Sequence, residues 1–414
     1  MDRNRYILLI NRSSNQGFDV VIGNPPYVFA RSSAEKGMTK EIKKIYYNNY
    51  DLAKYQVNLY HLFIEQGTNL LVNKGVFAYI VPNNWMTINT NKELRKYILE
   101  KSDIKIINFY KRVFEHADVD SSIIIFNNQQ TTDTIIHLFE AVNQTDIKLI
   151  KETHCSFFFD QKDYVINIEL FKNGSFAGIL NKIENASKEL KEIADVKCGL
   201  GAYGKDKGNP PQTKEMIQNR VYHSKRKEGE EWFKYIEGED VKRYSLTWMN
   251  EEYLKWGKHL REPRNNWDLF STPRILVRQI PSKLPYCINA CYTEDTILND
   301  RNSMNIIYIK ENPKYVLGVL NSKALSFWFA HKFGKLQRGL FPQFKINELA
   351  TFPIPQASAA QQSQIITWID EILAIKNNNP QANTCTLETK IDKLVYQLYG
   401  LTDSEIQVIE DSKN

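Results

Sequence analysis

Four short apolar runs, separated by segments of helical periodicity, constrain the first third of this chain to a layered α/β fold. The run FDVVI at 18–22 reads as a buried strand. Residues 56–73 then set Val57, Tyr60, Phe63, Ile64 and Leu71 at helical spacing, and Lys74-Gly75 supplies a helix-stop signal. VFAYIVP at 76–82 is a second strand; a helical segment at 92–101 leads into IKIINFY at 104–110, and SSIIIF at 121–126 follows. Strands alternating with helices predict a parallel sheet with crossover connections.

The pattern changes near residue 131 to short strands, aromatic-rich loops and Gly/Pro/Asn turns. Four regions are therefore expected: an α/β domain at 1–130, a transitional stretch at 131–185, an α+β domain at 186–356 closed by FPIPQ, and a helical region at 357–414. In the last, helices are predicted at 361–376 and 386–399, and Leu387, Ile391, Leu394 and Leu398 form the seam of a helical hairpin. The chain has 414 residues, 42% hydrophobic and 25% charged, which fits two or three globular domains and excludes global disorder. No apolar run approaches the roughly 20 residues needed to cross a bilayer, and Ile7 to Ile10 is too short for a signal core. A cytoplasmic protein with no membrane partner is expected. Five scattered cysteines lack a paired metal spacing; Cys287 and Cys291 read as packing residues, and no metal is expected. A net charge of +6 permits a polyanionic partner without establishing one.

Directly after FDVVIG comes Asn24-Pro25-Pro26-Tyr27. In a parallel α/β sheet, ligands bind beyond the carboxyl ends of strands, so a polar tetrapeptide leaving a strand there sits where chemistry occurs. The two prolines fix the backbone and aim its carbonyls. Residues of this kind suit one task in particular. The exocyclic amine of adenine is a poor nucleophile because its lone pair is delocalised into the ring. If the Asn24 side-chain oxygen and the Pro25 carbonyl accept both amine hydrogens, the lone pair can point at an electrophilic methyl group. Tyr27 offers a ring on which a base swung out of a duplex can stack, a contact of roughly 1–3 kcal/mol. Asn209-Pro210-Pro211-Gln212 repeats three of these letters after KDKG instead of an apolar strand, and it reads as a loop.

The segment FDVVIGNPPYV resembles the catalytic motif of the gamma-type, TaqI-like amino-methyltransferases found in type IIG restriction-modification enzymes. DLAKYQVNLYHLFIEQGTNLL, GVFAYIVPNNW and VFEHADVDSSIIIF extend the resemblance over 18–127. It implies that Asn24, Pro25, Pro26 and Tyr27 hold an adenine, that Phe114 stacks on the flipped base beside Tyr27, and that the cofactor is S-adenosylmethionine. A self-contained enzyme of this class needs a glycine-rich strand-to-helix turn and an acidic residue for the cofactor, usually before NPPY. Only 23 residues precede Asn24 and contain neither, and the GLGAYGKDKG segment at 199–208 comes too late to serve. The expectation is an incomplete Rossmann-like methyltransferase sheet with its cofactor-binding residues unknown. The chain would be inactive alone, either a fragment or a split subunit whose second polypeptide carries the cofactor-binding half.

The second half has the composition of a reader of double-stranded DNA. Lys323, Lys332, Lys335, Arg338 and Lys345 lie among six aromatics between 323 and 345, with no acidic residue. Phe327, Trp328 and Phe329 read as core, and GKLQRGLFPQF as the loop that could touch DNA. Lys225, Arg226 and Lys227 form a charge run, and Arg274 and Arg278 flank an apolar strand in PRILVRQI. The DNA-contact candidates are thus Lys225, Arg226, Arg274, Arg278, Lys335, Arg338 and Lys345. IEGEDVKRY, PRILVRQI, YVLGVLNSK and FPIP occur in the order of the TaqI-like C-terminal specificity domain, which this block resembles. The leading reading is a site-specific DNA adenine-N6 methyltransferase. A non-catalytic DNA-binding specificity subunit, or an enzyme methylating glutamine amides or RNA bases, remains an alternative.

Overall fold

The expected strands all form, and they belong to a sheet larger than the apolar runs alone predict. The computed structural model describes residues 7–10, 17–27, 39–53, 58–110, 113–114, 119–141, 143, 145–168, 171, 176–333, 343 and 345–412. Two compact units are present, Met1–Gly174 and Ser175–Asn414.

The first unit holds a seven-stranded sheet in the order β1-β2-β3-β5-β4-β6-β7. Its strands are β1 (Ile7–Ile10), β2 (Phe18–Gly23), β3 (Leu71–Pro82), β4 (Lys101–Phe109), β5 (Ser121–Gln130), β6 (Ile135–Ala141) and β7 (Ile147–His154). Helices α1 (Lys40–Asn49) and α2 (Leu59–Asn69) lie between β2 and β3 in sequence, and α3 (Lys92–Leu99) between β3 and β4. β2 and β3 are parallel, as are β4 and β6, whereas β5 runs antiparallel to both β3 and β4. This corrects the expectation of a parallel sheet. β5 is the next strand after β4 and pairs with it antiparallel, and the described residues between them form no helix.

Two boundaries also move. Helix α2 stops at Asn69, and β3 starts at Leu71, so Lys74 and Gly75 lie inside the strand. Lys74 takes a left-handed φ of 64°, and the pairing with β2 shifts register between Phe18 and Val20 to absorb the irregularity. The change of pattern near residue 131 does not end the sheet either, because β6 and β7 extend it.

One face of this sheet carries the core. Val21, Phe77, Tyr79, Val81, Ile104, Ile106, Ile124 and Phe126 pack there with Tyr60 and Ile64 of α2 and Leu94 and Ile98 of α3. Phe77 and Phe126 stack across β3 and β5 at 4.6 Å and 11°, and burying each ring contributes about 2 kcal/mol. The alternate positions form a separate apolar cluster of strand residues with Val113.

In the second unit, Arg274–Arg278 is paired with Ala290–Thr293 and Ser303–Ile307, and the latter with Asp195–Cys198. A second sheet joins Trp232–Ile236 to Glu252–Lys255 and Leu298–Asn299. Helices Ala359–Asn378 and Cys385–Leu398 form the expected hairpin, with Ile391 and Leu394 buried. A third helix, Asp403–Asp411, follows. Phe327, Trp328 and Phe329 are core, as are Cys287 and Cys291. No helix of the described residues is long and apolar enough to cross a membrane, and none of their His, Cys, Asp and Glu groups could hold a metal.

Candidate active site

Because β4 and β3 both oppose β5, strands β2, β3 and β4 share one direction and their carboxyl ends lie along one edge of the sheet. Asn24, Pro25, Pro26 and Tyr27 leave β2 at that edge, Asn83 and Asn84 leave β3, and Phe114 follows β4. The head of α2 reaches the same edge, because a crossover from β2 to parallel β3 starts at the carboxyl end of the first strand.

Pro25 is buried, and Asn24, Pro26 and Tyr27 are half-buried. The Tyr27 hydroxyl donates to the carbonyl of Ile80 at 3.0 Å, tying the tetrapeptide to the neighbouring strand. Burial raises the Tyr27 phenol above its ordinary pKa and keeps it protonated as a donor. The ring is thereby held by its hydroxyl end. Phe114 is half-buried, next to Val113, which packs on Ile107 and Phe109.

Residues around this edge that the sequence did not single out brace it. Asn83 Nδ2 donates to Asn108 Oδ1 at 3.0 Å, linking the ends of β3 and β4. Trp85 donates its indole N–H to Ser122 Oγ at 3.0 Å. The fully buried Arg95 donates to the carbonyls of Trp85 (2.7 Å), Ile88 (2.8 Å) and Asp163 (2.9 Å), fixing the turn after β3. The signal for Asn83 and Trp85 was NNW directly after the VFAYIVP strand, a polar turn at a strand end.

At the head of α2, Asn58 and His61 are 5% exposed each, and Asn58 Oδ1 and His61 Nε2 have no hydrogen-bond partner among the described residues. Burial lowers the His61 pKa to about 4, so the ring is neutral near pH 7. Unpaired buried polar atoms cost about 1–3 kcal/mol each, and such groups suit a polar ligand at this edge. The described residues of this unit include no glycine-rich strand-to-helix turn, so they fit one wall of a nucleotide-cofactor site and not a whole one. The GLGAYGKDKG segment lies in the second unit, where Gly199, Leu200 and Gly201 bond to Ser303, Asn299 and Glu262 rather than opening a helix.

The DNA-contact candidates separate. Arg274 is fully buried, and its guanidinium donates to the carbonyls of Thr272, Asp295 and Ile297. That corrects its reading as a DNA contact: its donors serve the fold. Lys225 is exposed but bonded to the Asn250 carbonyl and paired with Glu252 at 3.5 Å. Arg226 and Lys345 are exposed, and Arg278 is half-buried. Lys335 and Arg338 lie outside the described residues.

Two protein-family models match separate parts of the chain. Residues 3–114 match the Eco57I restriction-modification methylase family, and residues 233–354 match the TaqI-like C-terminal specificity domain. The chain carries an Eco57I-type methylase segment and a TaqI-like specificity domain. Its homologues are type II restriction-modification methyltransferases. It is 25% identical over 401 residues to RM.MjaORFECS2P of Methanocaldococcus jannaschii, an inferred type II restriction enzyme and methyltransferase, covering 93% of this chain and 31% of that protein. It is 30% identical over 118 residues to the type II restriction enzyme and methyltransferase RM.Eco57I of Escherichia coli, covering 28% and 12%. With the type II methyltransferase M.HindII of Haemophilus influenzae it shares 26% over 404 residues, covering 81% and 74%. The chain thus spans less than a third of the length of the first two relatives. Its fold is similar to that of the Type IIL restriction-modification enzyme MmeI, solved in complex with DNA, with a TM-score of 0.58 at 14% identity over 94% of this chain and 56% of that one.

Proposed function

We propose that this chain is the catalytic-motif and target-recognition portion of a DNA adenine-N6 methyltransferase in a restriction-modification system. The observation that carries this reading is the rigid Asn24-Pro25-Pro26-Tyr27 turn at the shared carboxyl edge of β2, β3 and β4, with Tyr27 fixed to the Ile80 carbonyl. The Asn24 side-chain oxygen and the Pro25 carbonyl accept the two amine hydrogens of a flipped adenine and hold its nitrogen lone pair toward the methyl donor. Tyr27 and Phe114 stack on the base, contacts of roughly 1–3 kcal/mol each that offset unstacking from the duplex. No strong general base is required, since the amine proton becomes acidic only as the new bond forms.

S-adenosylmethionine is the cofactor proposed, and it would supply an electrophilic methyl group. Asn58 and His61 are this chain's candidates for its polar contacts. The remainder of the pocket is assigned to sequence beyond the described residues, in the same polypeptide or a second one. The open side of the sheet supports this reading. Val20, Ile22, Val76, Ala78, Ile80, Ile123 and Ile125 are all partly exposed, Ile22 by 44%, an apolar surface of the kind that marks an interaction site. In the second unit Arg226, Arg278, Lys345 and, more weakly, Lys225 remain the candidates for DNA contact.

The test combines the chain with a polypeptide carrying the cofactor-binding half of a relative, labelled S-adenosylmethionine and duplex DNA. Label is expected on adenine N6, and Asn24→Ala is expected to lower transfer by about 100-fold or more. Transfer that persists in Asn24→Ala removes the mechanism. Duplex binding without any transfer favours a non-catalytic specificity subunit instead.

A further inference from the structure

The glycine-rich segment and the second Asn-Pro-Pro run, neither used by the catalytic reading, form one loop in the second unit. Its stem is anchored by Leu200 N donating to the Asn299 carbonyl at 2.8 Å and by two backbone bonds between Gly201 and Glu262 of 3.0 and 2.9 Å. Beyond the stem, the loop closes on the side chain of Gln212, which is 1% exposed. Gln212 Oε1 accepts from Gly204 N at 2.8 Å, and Nε2 donates to the carbonyls of Ala202 (2.9 Å) and His259 (2.7 Å). Gln212 N donates to the Lys207 carbonyl at 2.8 Å, and Asn209 N to the Lys258 carbonyl at 2.9 Å. Gly208 has φ +84°, and a Cβ there would stand 2.2 Å from the His259 carbonyl, so only glycine fits. Under the stem, Tyr203 stacks on Tyr222 at 5.9 Å and 10° and shares a 2.8 Å hydrogen bond with His223 Nδ1. A loop bonded to this extent is ordered before any partner arrives, which spares the entropy of ordering it on binding.

What the loop presents is an excess of positive charge, three lysines against the single carboxylate of Asp206. Lys205, Lys207 and Lys214, and Lys258 on the segment bonded to it, are exposed, and among the described residues none has an ion-pair or side-chain hydrogen-bond partner. Nearby cations differ: Arg261, Arg264 and Arg301 converge on Glu262, and Arg220 and Lys225 on Glu252. Lysine ammoniums are compact, hydrated point charges suited to phosphates. We infer that loop 203–214, with Lys258, is a preformed clamp on the phosphate backbone of duplex DNA, adding affinity without sequence choice. This rests on the DNA reading above and assigns a contact whose loop, 203–214, lies outside the matched specificity segment at 233–354, with Lys258 contributed from within it.

Fluorescence anisotropy with the full chain and a short duplex, titrated with salt, tests it. Lys205→Ala/Lys207→Ala is expected to bind about tenfold or more weakly at ~0.15 M salt and to reduce the log-log salt slope by about 2, equally for every sequence tried. Gln212→Ala keeps all four lysines and is expected to lose affinity severalfold with the slope nearly unchanged. Wild-type affinity and slope in the double lysine variant overturn the clamp while leaving the DNA reading intact, as does a loss confined to particular sequences. If the unaltered chain binds no duplex at all, the DNA reading itself fails and the clamp with it.

Discussion

The guanidinium of Arg274 donates to the carbonyls of Thr272 at 3.0 Å, Asp295 at 3.0 Å and Ile297 at 2.9 Å from a fully buried position. Burial lowers its pKa to about 10, which still leaves it charged near pH 7. Three carbonyls on two loops, Thr272 on one and Asp295 and Ile297 on the other, therefore depend on one side chain. Arg274→Met is expected to lower unfolding free energy by about 3 kcal/mol or more in urea titrations, because those acceptors lose their donor out of reach of water. Its duplex affinity, measured where the variant remains folded, is expected to be unchanged; a loss of affinity at full stability would restore Arg274 as a DNA contact. The sequence could not place this residue. A strand buried on both faces reads as a continuous apolar run, and nothing in PRILVRQI distinguishes a flanking arginine that points inward from one that reaches outward. The Asn24–Tyr27 turn was legible for the opposite reason, since its pattern is local: a strand, a rigid turn and an aromatic in ten residues. The bond that holds Tyr27 joins it to Ile80, a partner 53 positions away with no local signature.

Helix Ala359–Asn378 begins with a capping box in which the Ser358 side chain accepts from Gln361 N and the Gln361 side chain accepts from Ser358 N. The helix packs on Cys385–Leu398 and Pro313–Leu320, so fraying at its start propagates into the second unit's core. Ser358→Ala is expected to cost about 1 kcal/mol and to lower the melting temperature by roughly 2–4 °C, with Ser358→Asp recovering most of the loss. An unchanged melting temperature would show that tertiary packing alone holds this end. At this scale the sequence was informative where periodicity is long. The hairpin helices stood out, whereas Asp403–Asp411 is nine residues long and buries Ile409 deeply while leaving much of the rest open. Strand positions were legible too, but strand direction was not. SSIIIF has the same apolar pattern whichever way it runs, and its antiparallel pairing with β4 is set by the tertiary fold.

Across the whole molecule, buried ionisable groups are distributed unequally between the two units, and acid should affect them differently. In the first unit, His61 is held neutral with a pKa near 4 against an unfolded value of about 6.5. Its unfolded form therefore binds more protons between those values, so stability present above pH ~6.5 is lost progressively as pH falls toward 4. In the second unit His223 and His331, lowered by burial to about 3 and about 4, act with the same sign. Asp300 and Asp392 act against them. Burial raises each to about 6, so their contribution is greatest below the unfolded value near 4 and fades as pH rises to 6. The two effects oppose each other through the same window in the second unit, and in the first His61 has no such counterweight among the described residues with resolved shifts. Hydrogen exchange on the full chain, compared near pH 7 and near pH 5 after correction for intrinsic rates, is expected to show protection falling first in peptides of α2 and β3. His61→Gln should remove that difference while leaving the second unit's peptides as they were. Equal loss of protection in both units, or a pH response that survives His61→Gln, would show that the acid sensitivity resides elsewhere.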